Sequence, residues 1–220
     1  GAYACHLYAL HLLGGAGVER ISINPQTMND RTLEGIGRRH TAKDIEMVYE
    51  KARNMFPVIN MDVIAGLPGE DASDFSLTLD RIGVMKPENL TVHTLAYKKG
   101  SVLRLSQAVQ PDERSVEKML ALASEFTEDN GYRPYYMYRQ KYMTGNMENV
   151  GYSLAGCECR YNIDNMEETA SVLALGAGAI SKRVYPSGGR IERAANVKDI
   201  RTYIERTEDM IARKLALFSD

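Results

Sequence analysis

A carboxylate sits inside an otherwise apolar run, Val58–Ala65 (VINMDVIA). Side chains alternate along a strand, so the flanking Met61 and Val63 point to the face opposite Asp62. Burying a charge is costly unless it is paired, so Asp62 calls for a polar ligand or a polar partner. Arg38-Arg39 follows two glycines, Gly35 and Gly37. It reads either as a solvated basic turn or as a guanidinium that grips a carboxylate through paired hydrogen bonds. Gly176-Ala-Gly178 lacks the third glycine of a dinucleotide fingerprint. It is either a tight strand exit or a place where backbone approaches a flat ligand. The three cysteines, Cys5, Cys157 and Cys159, cannot form a disulfide scaffold. Cys157-Glu-Cys159 is spaced more tightly than the usual C-x₂-C metal pair and has no second pair, so free thiols are expected. His6 and His11 are five apart, which separates them on a helix.

Strand and helix patterns alternate in the segment that carries these residues. Ile21–Ile23 is a strand that ends at Asn24-Pro25. A short helix over Thr32–Ile36 follows. Thr41 and Asp44 have capping-box spacing ahead of an amphipathic helix with Ile45, Val48, Tyr49, Ala52 and Met55 on one face. Val58–Ala65 is the next strand, and Gly66-Leu-Pro-Gly69 closes it. Asp71 caps a helix with Phe75, Leu79, Ile82 and Met85 inside, Lys86-Pro87 stops it, and Leu90–Leu95 is a third strand. Strands joined by such helices pair in parallel through right-handed crossovers. Ligands gather at the carboxyl ends of parallel strands. Gln26, Asp62 and Ala96 each lie at or near such an end, so three consecutive strands offer residues to one edge.

After Gly100 the pattern changes. Asp112–Asn130 is a long helix, Tyr132–Tyr142 a tyrosine-rich strand and Ser171–Leu175 a buried strand. Ser187-Gly188-Gly189 turns a hairpin between Lys182–Tyr185 and Arg190–Arg193, and Val197–Phe218 is a final helix. A domain boundary is expected near 105, giving units 1–105 and 106–220. Three parallel strands are too few to close a barrel, so the first unit reads as a piece of a larger parallel sheet.

Composition bounds the function. The 220 residues carry a net charge of −2, with 44% hydrophobic and 25% charged residues. Those are globular values, and the charge argues against a nucleic-acid binder working through a basic surface. No apolar run approaches the roughly 20 residues of a membrane span. Cysteine usage suits a reducing, cytoplasmic setting. The opening Gly1–Gly17 holds no Lys, Arg, Asp or Glu; it lacks the basic start of a signal peptide and reads as a buried helix ending at Gly14-Gly15. Without a start methionine, and opening inside an apparent element, the chain is expected to be truncated. The sequence carries no reading of oligomeric state.

An ordered series of segments resembles a known family. Arg20–Gln26 (RISINPQ), Ile36–His40 (IGRRH) and Asn60–Gly69 (NMDVIAGLPG) are similar to the later part of a radical SAM domain. Within that superfamily they resemble the oxygen-independent coproporphyrinogen III dehydrogenases, in their HemZ-like branch. The likeness continues through Pro87–His93 (PENLTVH), Gly131–Tyr136 (GYRPYY) and Leu175–Ser181 (LGAGAIS).

The resemblance implies an α/β fold: the carboxyl-terminal part of a partial (β/α)₆ radical SAM barrel, followed by a smaller α+β domain. It implies S-adenosylmethionine and a [4Fe–4S] cluster in the full-length parent. There a 5′-deoxyadenosyl radical takes hydrogen from porphyrinogen propionates, which lose CO₂ and become vinyl groups. By the same resemblance Gln26 and Asp62 would hold the ribose hydroxyls, Arg38 the methionyl carboxylate, and Ala96 and Ile180 the adenine, largely through backbone. The C-x₃-C-x₂-C loop that binds the cluster in this family is missing, so the chain by itself is expected to be inactive. Relatives of the same architecture serve as haem chaperones, and His93 with Tyr135, Tyr136 and Tyr138 could line a haem site. In either case the small-molecule partner is a tetrapyrrole. Lys182–Lys214 carries nine Lys or Arg against five Asp or Glu, a balance that would attract an anionic tetrapyrrole or simply mark a solvated, ion-paired helix.

Overall fold

The computed structural model describes residues 2–95, 111–138, 147–186 and 189–219, with side chains from residue 8 onward. The chain divides into two compact units, Gly1–Glu158 and Cys159–Asp220.

The first unit is built on a five-stranded sheet. Its elements are α1 (Ala2–Gly15), β1 (Arg20–Gln26), α2 (Asp30–Gly35), α3 (Ala42–Arg53), β2 (Val58–Ala65), α4 (Ala72–Met85), β3 (Asn89–Thr94), α5 (Glu113–Asp129), β4 (Arg133–Tyr138) and β5 (Asn149–Ser153). The strand order is β1-β2-β3-β5-β4. The first three strands are parallel, as their helical crossovers require, and β5 and β4 continue the sheet antiparallel. The expected boundary near 105 is therefore not where the compact units part. The chain beyond 105 returns α5 to the helical layer and adds two strands to the same sheet.

Local signals account for most element ends. Thr41 accepts from the Asp44 backbone and Asp44 reciprocates, closing a capping box on α3. Asp71 and Asp74 do the same for α4. Asp112 caps α5 through the Ser115 amide. In β2 the alternation is strict: Ile59, Met61, Val63 and Ala65 are buried, while Asn60, Asp62 and Ile64 are partly open. The buried face joins Leu90 and Val92 of β3 with Ile45, Tyr49 and Ala52 of α3, Phe75, Leu79 and Ile82 of α4, and Val116, Met119 and Ala123 of α5. The opposite face bears the polar residues.

The second unit holds α6 (Arg160–Met166), the antiparallel hairpin β6 (Ile180–Val184) and β7 (Ile191–Ala195), then α7 (Ile200–Glu205) and α8 (Thr207–Phe218). Two expectations are corrected here. Ser171–Leu175 is not a buried strand: it makes one isolated bridge, Val172 to Lys182, and Leu173 and Leu175 are exposed. The final helix is two helices broken at Arg206, whose φ is −117°. Asp199 caps the first of them through the Thr202 amide. Leu173, Leu175, Tyr203, Met210, Ile211 and Phe218 line an apolar groove of about 570 Å³. No helix among the described residues is long and apolar enough to cross a membrane.

Candidate functional site

Asp62 sits on the polar face of the central parallel strand, and strand register gathers its neighbours. Asp62 is level with Thr91 of β3, Thr91 with Gly151 of β5, and Gly151 with Tyr136 of β4. Ser22, Asn60 and Asn89 form the row behind. The Asn60 amide donates to Asp62 Oδ1 at 2.7 Å. His93 Nε2 lies 3.7 Å from Asp62 Oδ2, an electrostatic contact longer than a hydrogen bond. Tyr138 Oη is 3.2 Å from His93 Nδ1. Burial pushes the Asp62 carboxyl pKa up, but the facing His93 and the Asn60 amide outweigh it and hold it below the usual carboxylate value. The anion is thus stabilised while part of it still reaches solvent, with its side chain 19% exposed.

Tyrosines extend this face. Tyr136 and Tyr138 stack with rings 3° from parallel and centroids 6.2 Å apart. Tyr136 Oη reaches Thr91 Oγ1 at 3.4 Å. To do so its ring lies across β5 directly over Gly151, where an added Cβ would fall 1.8 Å from Tyr136 Cε1. Desolvation pushes the Tyr136 phenol up to about 12, so this phenol stays neutral at physiological pH.

Gln26 ends β1 in the left-handed region, φ 70°, after an irregularity in the pairing of β1 with β2. A non-glycine residue there costs on the order of 1–2 kcal/mol, and the surroundings must enforce it. They do. Thr27 donates to Glu70 Oε1 at 2.6 Å and sits 3.2 Å from the Thr78 hydroxyl, which also accepts from the Met28 amide. These bonds tie the exit of β1 to the loop after β2 and to α4. Gln26 is 8% exposed, and its amide makes a long 3.4 Å contact with the Asn24 carbonyl. Glu70 Oε2 is buried without a partner among the described residues. Burial accordingly raises the Glu70 pKa, against the Thr27 hydrogen bond that lowers it.

The remaining expected site residues are placed differently. Arg38 is exposed in the turn between α2 and α3, after Gly37 at φ 76°. Ala96 lies outside the described residues. Ile180 opens β6 in the second unit, beside a glycine loop held by Asn196, whose amide donates to the Gly176 carbonyl at 2.7 Å. Gln26, Asp62 and the row of Asn60, Thr91, His93, Tyr136 and Tyr138 all belong to the first unit. The roles of Asn60, Thr91 and Gly151 were not foreseen. Asn60 could have been found from its period-two spacing to Asp62; nothing local marks Gly151.

The donor set does not suit an iron–sulfur cluster. Cys157 and Cys159 are free, and no group of three or more His, Cys, Asp or Glu among the described residues could hold a metal ion. It does suit a nucleoside: an ionised carboxylate and a carboxamide on adjacent parallel strands can receive and orient ribose hydroxyls.

Comparison with known proteins gives this arrangement its class. Residues 8–82 match the Radical SAM superfamily model. The fold is that of coproporphyrinogen III oxidase (HemN) from Escherichia coli, described as a radical SAM enzyme: TM-score 0.69 at 19% identity, covering 91% of this chain and 46% of that one. Residues 8–82 are thus similar to radical SAM proteins, and the fold is the α/β, partial-barrel architecture expected from the sequence.

Within the superfamily it is HemZ/HemN-like. It is 41% identical over 209 residues to the oxygen-independent coproporphyrinogen-III oxidase-like protein HemZ of Bacillus subtilis, covering 94% of this chain and 42% of that protein. It is 27% identical over 210 residues to the heme chaperone HemW of the same organism, covering 93% and 49%. The chain spans less than half the length of these relatives.

Proposed function

We propose that this chain is the nucleoside-binding and substrate-side portion of a radical SAM protein that acts on a tetrapyrrole. The observation that carries the reading is Asp62: an ionised, largely buried carboxylate at a parallel sheet's polar face, with Gln26 held in a left-handed conformation one strand away. Asp62 and Gln26 would receive the ribose hydroxyls of S-adenosylmethionine. Arg38, exposed and uncommitted to the core, would meet the methionyl carboxylate. The adenine contacts expected at Ala96 and Ile180 are carried over from the family resemblance alone. With a cluster supplied by the rest of the parent, the bound cofactor provides the hydrogen-abstracting radical, and the protein provides position. The parent reaction would be oxidative decarboxylation of coproporphyrinogen III propionates to vinyls, in the cytoplasm.

Binding of S-adenosylhomocysteine by calorimetry tests this. The wild-type chain should bind one equivalent. Asp62→Ala should weaken binding by about tenfold or more, the order expected for hydrogen bonds to a charged group. No binding, or equal binding by both, would refute the reading.

A second reading, haem binding without catalysis, draws on the heme chaperone among the relatives. His93 is its natural iron ligand, yet Nδ1 faces Tyr138 and Nε2 faces Asp62. Ligation would have to break one of those contacts. A Soret shift on haem titration that His93→Ala abolishes would favour this second reading over the first.

A further inference from the structure

The polar face contains a chain of contacts that spans three strands and ends on Asp62. Tyr138 is on β4, His93 on β3 and Asp62 on β2. The imidazole stands between a phenol and a carboxylate: 3.2 Å from Tyr138 Oη to Nδ1, and 3.7 Å from Nε2 to Asp62 Oδ2. Chemistry fixes the direction of this chain. A carboxylate only accepts, so Nε2 can serve Asp62 as a donor only if it carries a proton. In a neutral imidazole the other nitrogen is then an acceptor, and Tyr138 must donate to it. Tyr138 is in turn held by its stack on Tyr136, which can lie across the sheet because residue 151 is glycine. On its other oxygen Asp62 receives the Asn60 amide. Asn60 thus fixes one carboxylate oxygen, while Nε2 faces the other at 3.7 Å.

We infer that His93 is a positioning residue for Asp62. Held in its Nε2–H form by Tyr138, it orients the carboxylate that receives the ribose hydroxyls. The inference rests on the nucleoside reading above and assigns His93 a role within it. His93 touches no ligand in this arrangement; it acts through Asp62.

Two measurements on the full chain test it. In ¹⁵N spectra of the imidazoles, with the His93 signals identified by their loss in His93→Gln, the neutral ring should be the Nε2–H tautomer, and Tyr138→Phe should erode that preference. An Nδ1–H tautomer in the wild type overturns the inference. Calorimetry with S-adenosylhomocysteine supplies the second arm. His93→Leu should weaken binding roughly tenfold, as loss of a donor to a charged group does. His93→Gln, which keeps an N–H donor at the corresponding distance along the side chain, should recover most of that loss. If wild type binds and Asp62→Ala does not, but His93→Leu binds like wild type, the positioning role is wrong and the nucleoside reading survives. If the wild-type chain does not bind, the reading and the role fall together.

Discussion

Gly151 and Tyr136 form a matched pair, distant in chain order from the other residues of the polar face. The tyrosine ring occupies the volume that any side chain at 151 would need. Gly151→Ala should therefore destabilise by about 1–3 kcal/mol, as overpacking does. Urea unfolding would measure it. Combined with Tyr136→Ala, the change should cost less than the two separate losses added together, since the second removes the collision. Two carboxyls on neighbouring elements should respond to pH in opposite directions. Asp62 has a folded pKa below its ordinary 3.8, so its contribution to stability is full above that value and is lost as pH falls through the folded pKa. Asp62→Asn should differ from wild type at neutral pH and converge on it in acid. Glu70 is raised above its ordinary 4.5, so stability declines as pH rises from there toward its folded pKa. Glu70→Gln should flatten that decline in pH-dependent unfolding. An acid limb that Asp62→Asn leaves unchanged, or a Glu70→Gln profile identical to wild type, would contradict these assignments.

At the scale of elements, the helix caps are the readily tested features. Asp71 accepts from the Ser73 and Asp74 amides at 2.8 and 3.0 Å. Asp71→Ala should cost about 1 kcal/mol in chemical unfolding. At the other end of α4, Lys86 sits in the left-handed region at φ 55°. Lys86→Gly should stabilise by roughly 0.5–1 kcal/mol, because glycine carries no Cβ penalty there. These same caps explain why the first hundred residues were legible. Thr41, Asp71 and Pro57 announce element ends locally, and β2 announces its two faces by alternation. The sequence was less informative where structure depends on distant partners. Asn149–Ser153 is five residues with polar ends, and it is a strand because β3 and β4 flank it. Ser171–Leu175 has the composition of a buried strand, but it forms one bridge to β6 and stays exposed. The break at Arg206 carries no proline or glycine to mark it. The site divides in the same way: Asp62 and Gln26 stand out by type and position, whereas the Tyr138–His93 contact needs the order β3-β5-β4.

For the whole molecule, the question is how much of a radical SAM protein these residues can provide. The helix-backed sheet supplies a polar face with an ionised carboxylate, and the thiols do not supply a cluster site among the described residues. Anaerobic iron–sulfide reconstitution should leave the chain without a stoichiometric [4Fe–4S] signal by EPR, while nucleoside binding persists. A full-occupancy cluster would contradict the assignment of Cys157 and Cys159 as bystanders. The central claim, that the polar face around Asp62 is a nucleoside site, is tested most directly by a crystal structure of the chain with S-adenosylhomocysteine. The account predicts ribose hydroxyls within hydrogen-bond distance, about 2.5–3.2 Å, of the Asp62 carboxylate, with the Gln26 amide turned toward them. A ligand bound elsewhere, or a ribose whose hydroxyls face away from Asp62, would contradict it.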